Sequence, residues 1–286
     1  ASAFYRKLNY RALILYPRGQ VSAKQEQQMT CWDENVISLA VEGTFDDCQQ
    51  LVKAAFRQAD WQALGLSSAN SINIGRLLPQ LCYYAYSAMK FYSQYGAKPG
   101  FIIPSGNLGN ATAAYWAKAM GFPIREIVLA TNANRVLPDF LESANYEPRR
   151  SIATMANAMD VGNPSNLERL RYLFSSFDNF KQNVKAISVS DEAIRQTIKE
   201  CYERYAYILC PHTATAFYVR QLVDQQSWIV AATADPSKFD ELIEPLINIK
   251  VPTAPQLQKL LDKPARVMNV EANLSAIKKI LVQGYF

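Results

Sequence analysis

A single histidine, His212, stands among 286 residues. One imidazole cannot build a His-based metal cluster, so no metal site is expected. A Ser-His-Asp hydrolase needs only one histidine, but the chain has no Gly-x-Ser-x-Gly elbow. Cysteine is sparse and odd in number: Cys31, Cys48, Cys82, Cys201 and Cys210 are widely spaced and form no Cys-x-x-Cys pair. Thiols so placed, several of them on apolar helix faces, read as buried residues of a reducing compartment. No apolar run approaches the roughly 20 residues of a membrane span, and no secretory signal opens the sequence. A cytoplasmic protein with no membrane partner is the expectation. The net charge is +5, yet Lys and Arg are scattered, and the basic stripe that nucleic acid requires is missing. The surplus reads as a mild attraction for small anions. Charged residues make up 19% and hydrophobic ones 49%, a globular rather than disordered composition.

What is present is a strand that runs into a Gly/Asn turn: Phe101-Ile102-Ile103-Pro104-Ser105-Gly106-Asn107-Leu108-Gly109-Asn110, followed by a helical segment over 111–120. Main-chain N–H groups at a helix start lack intrahelical partners, and the helix dipole favours an anion there. Glycines let the backbone come close to a phosphate, and asparagines add donors. A second reading is a plain strand-to-helix connection capped by Ser105 or Asn107. The turn is not a Walker loop, since no Gly-Lys-Ser/Thr follows, and not a dinucleotide fingerprint, since Gly106 and Gly109 are three apart with no G-x-G-x-x-G.

The length suggests two domains, and the pattern alternates strands with helices. Residues 1–8 read as the tail of a helix, followed by a strand at 12–16 and a turn at 16–19. Ser22 with Gln25 and Thr44 with Asp47 are capping boxes, with a strand over 35–41 between the helices they open. The second helix puts Cys48, Leu51, Val52, Ala55 and Phe56 on one core face. Residues 77–92 form a helix apolar nearly all round and expected to be buried, with Tyr83, Tyr84 and Tyr86 as core packing. A strand at 127–130, helices at 165–180 (capped by Ser165) and 191–205 (led by Ser190), and a helix over 212–223 follow. The strand 227–232 leads to a helix over 235–245, with Asp235 as cap and Pro236 at its first position. Residues 250–270 read as an extended connection to a last helix at 271–282. Short continuous apolar strands alternating with helices mark parallel sheets covered on both faces, and ligands of such sheets lie beyond the strands' carboxyl ends. The turn 104–110 and Thr233 both fall at such ends.

Several segments together resemble threonine synthase, a pyridoxal phosphate (PLP) enzyme family of the tryptophan-synthase-β-like fold. They are Ile14-Leu15-Tyr16-Pro17-Arg18-Gly19, Ser68-Ala69-Asn70-Ser71-Ile72-Asn73-Ile74-Gly75-Arg76-Leu77, the turn 104–110, Ala130-Thr131-Asn132-Ala133-Asn134, Asn157-Ala158-Met159-Asp160-Val161 with Asn163-Pro164-Ser165-Asn166, and Ala232-Thr233-Ala234-Asp235-Pro236-Ser237-Lys238-Phe239. The resemblance implies an α/β fold with residues 1–62 as the remainder of a smaller domain. Residues 63–286 would be a large domain with the phosphate turn and a C-terminal extension. It implies that Ser105, Gly106, Asn107, Leu108, Gly109 and Asn110 hold the PLP phosphate and that Thr233 faces the pyridine nitrogen. It further implies that Asn70, Ser71, Asn73 and Arg76, with Asn110, hold the phosphate of O-phosphohomoserine, which the family converts with water to threonine and phosphate.

Read from the residues alone, Thr233 is a buried strand-end threonine bonded to backbone. Ser71 or Asn73 is then a helix cap before an exposed Arg76, and His212 is the partner of a structural hydrogen bond; the resemblance is what reverses the first two. Asn132, Asn134 and Asp160 receive no chemical step. Two departures stand out. Asp235 replaces the family's His, and no lysine here has the Phe-Lys-Asp context of the Schiff-base lysine. The resemblance therefore implies the C-terminal portion of the enzyme, inactive alone and with a missing N-terminal segment as a partner. The alternatives are a non-catalytic phosphate-ligand module or another enzyme of the fold such as a dehydratase. The segment from Asn70 to Arg76 points away from the last, whose substrates carry no such phosphate.

Overall fold

The computed structural model describes residues 2–7 and 9–282. Residues divide into two compact units: 1–66 with 237–240 and 250–286, and 67–236 with 241–249. Both are built from parallel βα repeats.

The first unit opens with turns over 2–6, in place of the helix tail expected there; residues 1 and 8 lie outside the described residues. Then come β1 (Ala12–Pro17), α1 (Ala23–Thr30), β2 (Val36–Glu42) and α2 (Phe45–Arg57). Both capping boxes form: Ser22 with Gln25 starts α1, and Thr44 with Asp47 starts α2.

The second unit runs α3 (Ile74–Tyr95), β3 (Gly100–Pro104), α4 (Gly109–Ala119), β4 (Ile127–Thr131), α5 (Val136–Ser143), α6 (Leu167–Phe174), α7 (Phe177–Asn183), β5 (Lys185–Ser188), α8 (Asp191–Tyr205), α9 (Pro211–Leu222) and β6 (Trp228–Val230). α10 (Asp240–Ile247) follows, and the chain ends with α11 (Pro255–Leu261), β7 (Met268–Glu271) and α12 (Leu274–Val282).

The first unit's sheet has the order β1-β2-β7, parallel throughout, over a core of Leu39, Val41, Leu51, Trp61, Val270 and Ile277. The stretch 250–270, expected as an extended connection, thus holds α11 and the start of β7. The C-terminal extension, grouped with the large domain on sequence, supplies an edge strand to this sheet; its residues 283–286 lie outside the described residues. Asp235 and Pro236 lead into a short 3-10 turn over Pro236–Lys238 rather than directly into α10. The expected helix over 165–180 is two helices, because the chain turns at Ser175 (φ 54°) and Ser176 caps α7 through the Asn179 N–H. Ser165 is not a cap; Asn166 occupies that position.

The second unit's sheet has the order β5-β4-β3-β6, again parallel throughout. α4 is buried on nearly every face because Ala111, Ala113, Ala114 and Ala117 are small enough to let it lie against its neighbours. The longer, aromatic-rich α3 is not buried all round. It buries only Leu77, Tyr84, Ala85 and Ala88, while Tyr83 and Tyr86 are exposed, so only Tyr84 of that cluster packs in the core. Apolar content alone could not say which of the two helices takes the interior position. None of the described helices is long and apolar enough to cross a membrane.

β3, the strand that delivers the Gly/Asn turn, starts at Gly100 under the Trp228 ring. A Cβ at Gly100 would lie 2.4 Å from Trp228 Cε3, and that ring is itself fixed by its N–H to Asp224 (2.8 Å) and by the Arg125 guanidinium stacked over it. Gly100→Ala is expected to destabilise the fold by about 1–3 kcal/mol through overpacking, read as a lower urea midpoint with an unchanged slope. An unchanged midpoint would contradict this packing.

Candidate functional site

Because the four strands of the second unit point one way, their carboxyl ends share an edge. Residues 105–110, 132–134, 189–190 and 231–233 leave from it. Ser105 is the last residue tied to the sheet, its N–H donating to the Ala130 carbonyl at 3.0 Å. Three residues later Leu108 adopts φ 60° and becomes the N-cap of α4, with no side-chain cap bond. The left-handed conformation costs an L-residue about 1–2 kcal/mol; the Leu108 side chain, 1% exposed, offsets this by burial. Neither Ser105 nor Asn107 caps the helix. Among the described residues, the N–H groups of Gly106, Asn107, Leu108, Gly109 and Asn110 donate to no acceptor. An uncapped helix start with a run of free amides is suited to an anion.

The two glycines bring this turn against two other loops. A Cβ on Gly106 would lie 2.6 Å from Met159 Cα, and one on Gly109 would lie 2.8 Å from Ser71 Cβ. The three segments 68–77, 104–110 and 157–166 therefore meet at one place.

Asparagine side chains lock the junction. Asn107 donates to Ser71 Oγ (2.6 Å) and accepts from the Ser165 N–H (2.7 Å), while its carbonyl accepts from Asn166 (2.8 Å). Asn110 accepts from Ser105 Oγ (2.6 Å) and the Ala111 N–H (2.9 Å) and donates to the Pro104 carbonyl (2.9 Å). The turn's side chains thus shape the backbone, and the free donors are main-chain.

On the second loop, Asn73 is the N-cap of α3, accepting from Gly75 and donating to the Ser68 carbonyl. Asn70 accepts from Ser71 Oγ (3.1 Å) and the Ile72 N–H (3.3 Å). Arg76 is exposed in the first turn of α3, with no ion pair among the described residues. Thr233 lies three residues past β6 and is exposed, not buried; its N–H donates to Thr213 Oγ1 at 3.4 Å.

Asn132, Asn134 and Asp160 form a second knot at the same edge. Asp160 accepts from Asn132 (2.7 Å), Asn134 (3.2 Å) and both the N–H and hydroxyl of Thr154 (3.0 and 2.6 Å). His212, in the first turn of α9, accepts the Ala158 N–H at 3.1 Å through Nε2, the structural bond expected of it. Sequence reasoning missed Thr154, Thr213 and Arg169. Only Arg169 had a signal, three residues past Asn166 in a helix start.

The free amides at this helix start, where a Cβ on either glycine would come within 3 Å of a neighbouring loop, are an arrangement that suits a phosphate-bearing group. A family model described as pyridoxal-phosphate dependent enzyme matches residues 1–228, and one described as threonine synthase, C-terminal, matches residues 212–281. The threonine synthase of Buchnera aphidicola subsp. Acyrthosiphon pisum is 36% identical over 99% of this chain and 66% of its own length. A crystal structure of threonine synthase from Escherichia coli superposes with a TM-score of 0.93 at 36% identity, covering 99% of this chain and 67% of that one. A PLP-bound threonine synthase from Brucella melitensis gives 0.84 at 30% identity, over 99% of this chain and 67% of that one. The chain belongs to the pyridoxal-phosphate-dependent enzymes and, within them, to the threonine synthase family. It spans 66% of the length of the curated relative. The family's cofactor is pyridoxal phosphate, and the free amides of the turn 106–110 fit its phosphate.

Burial pushes the Asp160 carboxyl up to about 6, against the pull of its Thr154 and Asn132 hydrogen bonds. A carboxyl raised in the folded state keeps a proton that the unfolded chain has released. Its contribution to stability is then full below about pH 4 and lost as pH rises through about 6. The difference in stability between wild type and Asp160→Asn is expected to shift against the wild type between pH 4 and 6.5, measured by urea unfolding. A shift in the other direction would contradict it.

Proposed function

We propose that this chain carries the two phosphate sites of a threonine synthase, which converts O-phosphohomoserine and water to threonine and phosphate with PLP. The observation that carries the reading is the uncapped start of α4, five main-chain donors wide, at the carboxyl edge of a parallel sheet. The N–H groups of Ser105, Gly106, Asn107, Leu108, Gly109 and Asn110 are the assigned surroundings of the cofactor phosphate, with Ser105 contributing mainly by anchoring the turn to β4. Thr233 is assigned to the pyridine nitrogen, since it leaves the strand beside β3 and its side chain makes no hydrogen bond to another described residue. When bound, PLP supplies an electron sink for carbanions at the substrate's carbons.

For the substrate phosphate, Arg76 is the principal partner: a planar guanidinium at a helix start can bond two phosphate oxygens. Asn70 adds a neutral donor through its Nδ2, and Ser71 takes part by orienting Asn70 with its hydroxyl unless that O–H turns to the phosphate. Asn73 acts there by holding the loop, and Asn110 has at most one N–H left after its bonds to the turn. Neutral amides around an anion site leave its positive potential intact. No lysine of this chain is assigned as the Schiff-base residue. The isolated chain is proposed to bind both phosphates without turnover, its partner being a segment that carries that lysine. The four buried free thiols fit a reducing cytoplasm.

Pyridoxine 5'-phosphate, which has no aldehyde to react with surface lysines, probes the cofactor cradle alone. Calorimetry is expected to show that Gly106→Ala weakens it by at least about tenfold, or ~1.4 kcal/mol. Arg76→Ala should leave it within about twofold while weakening O-phosphohomoserine by about tenfold or more. Unchanged binding in Gly106→Ala, or equal losses of both ligands in Arg76→Ala, would overturn the assignment.

A further inference from the structure

Arg169 sits in the first turn of α6 and reaches a distant part of the chain. Its Nη1 donates to the Ser71 carbonyl (3.3 Å) and its Nη2 to the Ile72 carbonyl (2.8 Å); Nη1 also bonds Asn166 Oδ1. Asn166 donates in turn to the Asn107 carbonyl, and Asn107 to Ser71 Oγ. These bonds close a ring through residues 71, 107, 166 and 169. One side of the ring is the loop that precedes Arg76; the other is the turn with the free amides.

The guanidinium suits the task for two reasons. Its planar fork spans two successive carbonyl oxygens, which the point charge of an ammonium cannot match. In a trans peptide the N–H lies opposite the C=O, so fixing the oxygens of residues 71 and 72 turns the N–H groups of Ile72 and Asn73 the other way. They close on Asn70, on its side chain at 3.3 Å and its carbonyl at 3.0 Å. Every oxygen that Arg169 touches is neutral, and no carboxylate pairs with it among the described residues. Its charge remains available to both neighbouring loops.

We propose that Arg169 is a positioning residue that clamps the loop 70–73 against the turn 105–110, so that the substrate-phosphate and cofactor-phosphate sites keep a fixed spacing. The inference rests on the proposed assignment of those two sites, while the clamp itself is testable without it. The test compares wild type with Arg169→Lys, which keeps the charge and loses the fork, and with Arg169→Met, which keeps only the stem. Hydrogen exchange of peptides covering 68–76 is expected to quicken by about tenfold or more in both variants, with β3 and β4 unchanged. O-phosphohomoserine should bind about tenfold more weakly, and pyridoxine 5'-phosphate within about threefold of wild type.

Wild-type protection of 68–76 in both variants would overturn the clamp. So would O-phosphohomoserine affinity equal to wild type, or loss of protection throughout the unit, which would make Arg169 a general structural residue. A wild type that binds neither phosphate would instead overturn the functional assignment, leaving the exchange result to judge the clamp.

Discussion

One helix start that nothing caps governs the second unit. An α-helix begins with N–H groups that need acceptors, and proteins ordinarily supply a Ser, Thr, Asp or Asn side chain for them. α1, α2, α3, α7 and α8 all obey that rule. α4 does not, and nor do α5, α6 and α11; α4 differs from those three in that its N-cap is Leu108, in a left-handed conformation with its side chain in the core. Donors left open at the edge of a folded sheet are a standing cost that a bound anion would relieve. The other features of the site serve to keep those donors open and in place.

Glycine and asparagine do that work in different ways. Gly106 and Gly109 let the turn press against Met159 and Ser71, at distances where a side chain would collide with backbone or Cβ atoms. The asparagines then satisfy one another and the surrounding carbonyls, each amide serving as donor and acceptor at once. Neutral amides suit this location. Carboxylates could make many of the same bonds, but they would cancel the positive potential that an anion site needs. The one carboxylate in the second knot, Asp160, is held by four donors and lifted toward neutrality by burial.

Much of the fold was legible in the residues. The capping boxes at Ser22 and Thr44, the apolar strands and the Gly/Asn turn all declare themselves through local chemistry that packing does not override. What escaped was whatever depends on partners distant in sequence. The apolar content of α3 suggested burial, but the alanines of α4 take the interior. The strand β7 is polar at alternate positions and gains its identity only by pairing with β2. At the site, residue types marked segments that the fold brings together, but not which side chains tie them to one another. Asn73 and Asn107 stood out as candidate ligands, and their side chains also hold the loops together. Arg169, unremarkable in a helix start, ties two loops together across 98 residues of chain. Thr233 looked like a buried strand end and is exposed, because β6 stops at Val230.

The account stands on the amides of residues 106–110 receiving an anion. The most direct measurement is a titration of the 15N-labelled chain with inorganic phosphate and with pyridoxine 5'-phosphate, followed by backbone amide shifts. The account predicts saturable changes concentrated on Gly106, Asn107, Leu108, Gly109 and Asn110. Shifts centred elsewhere in the chain, with these five amides unmoved, would contradict it.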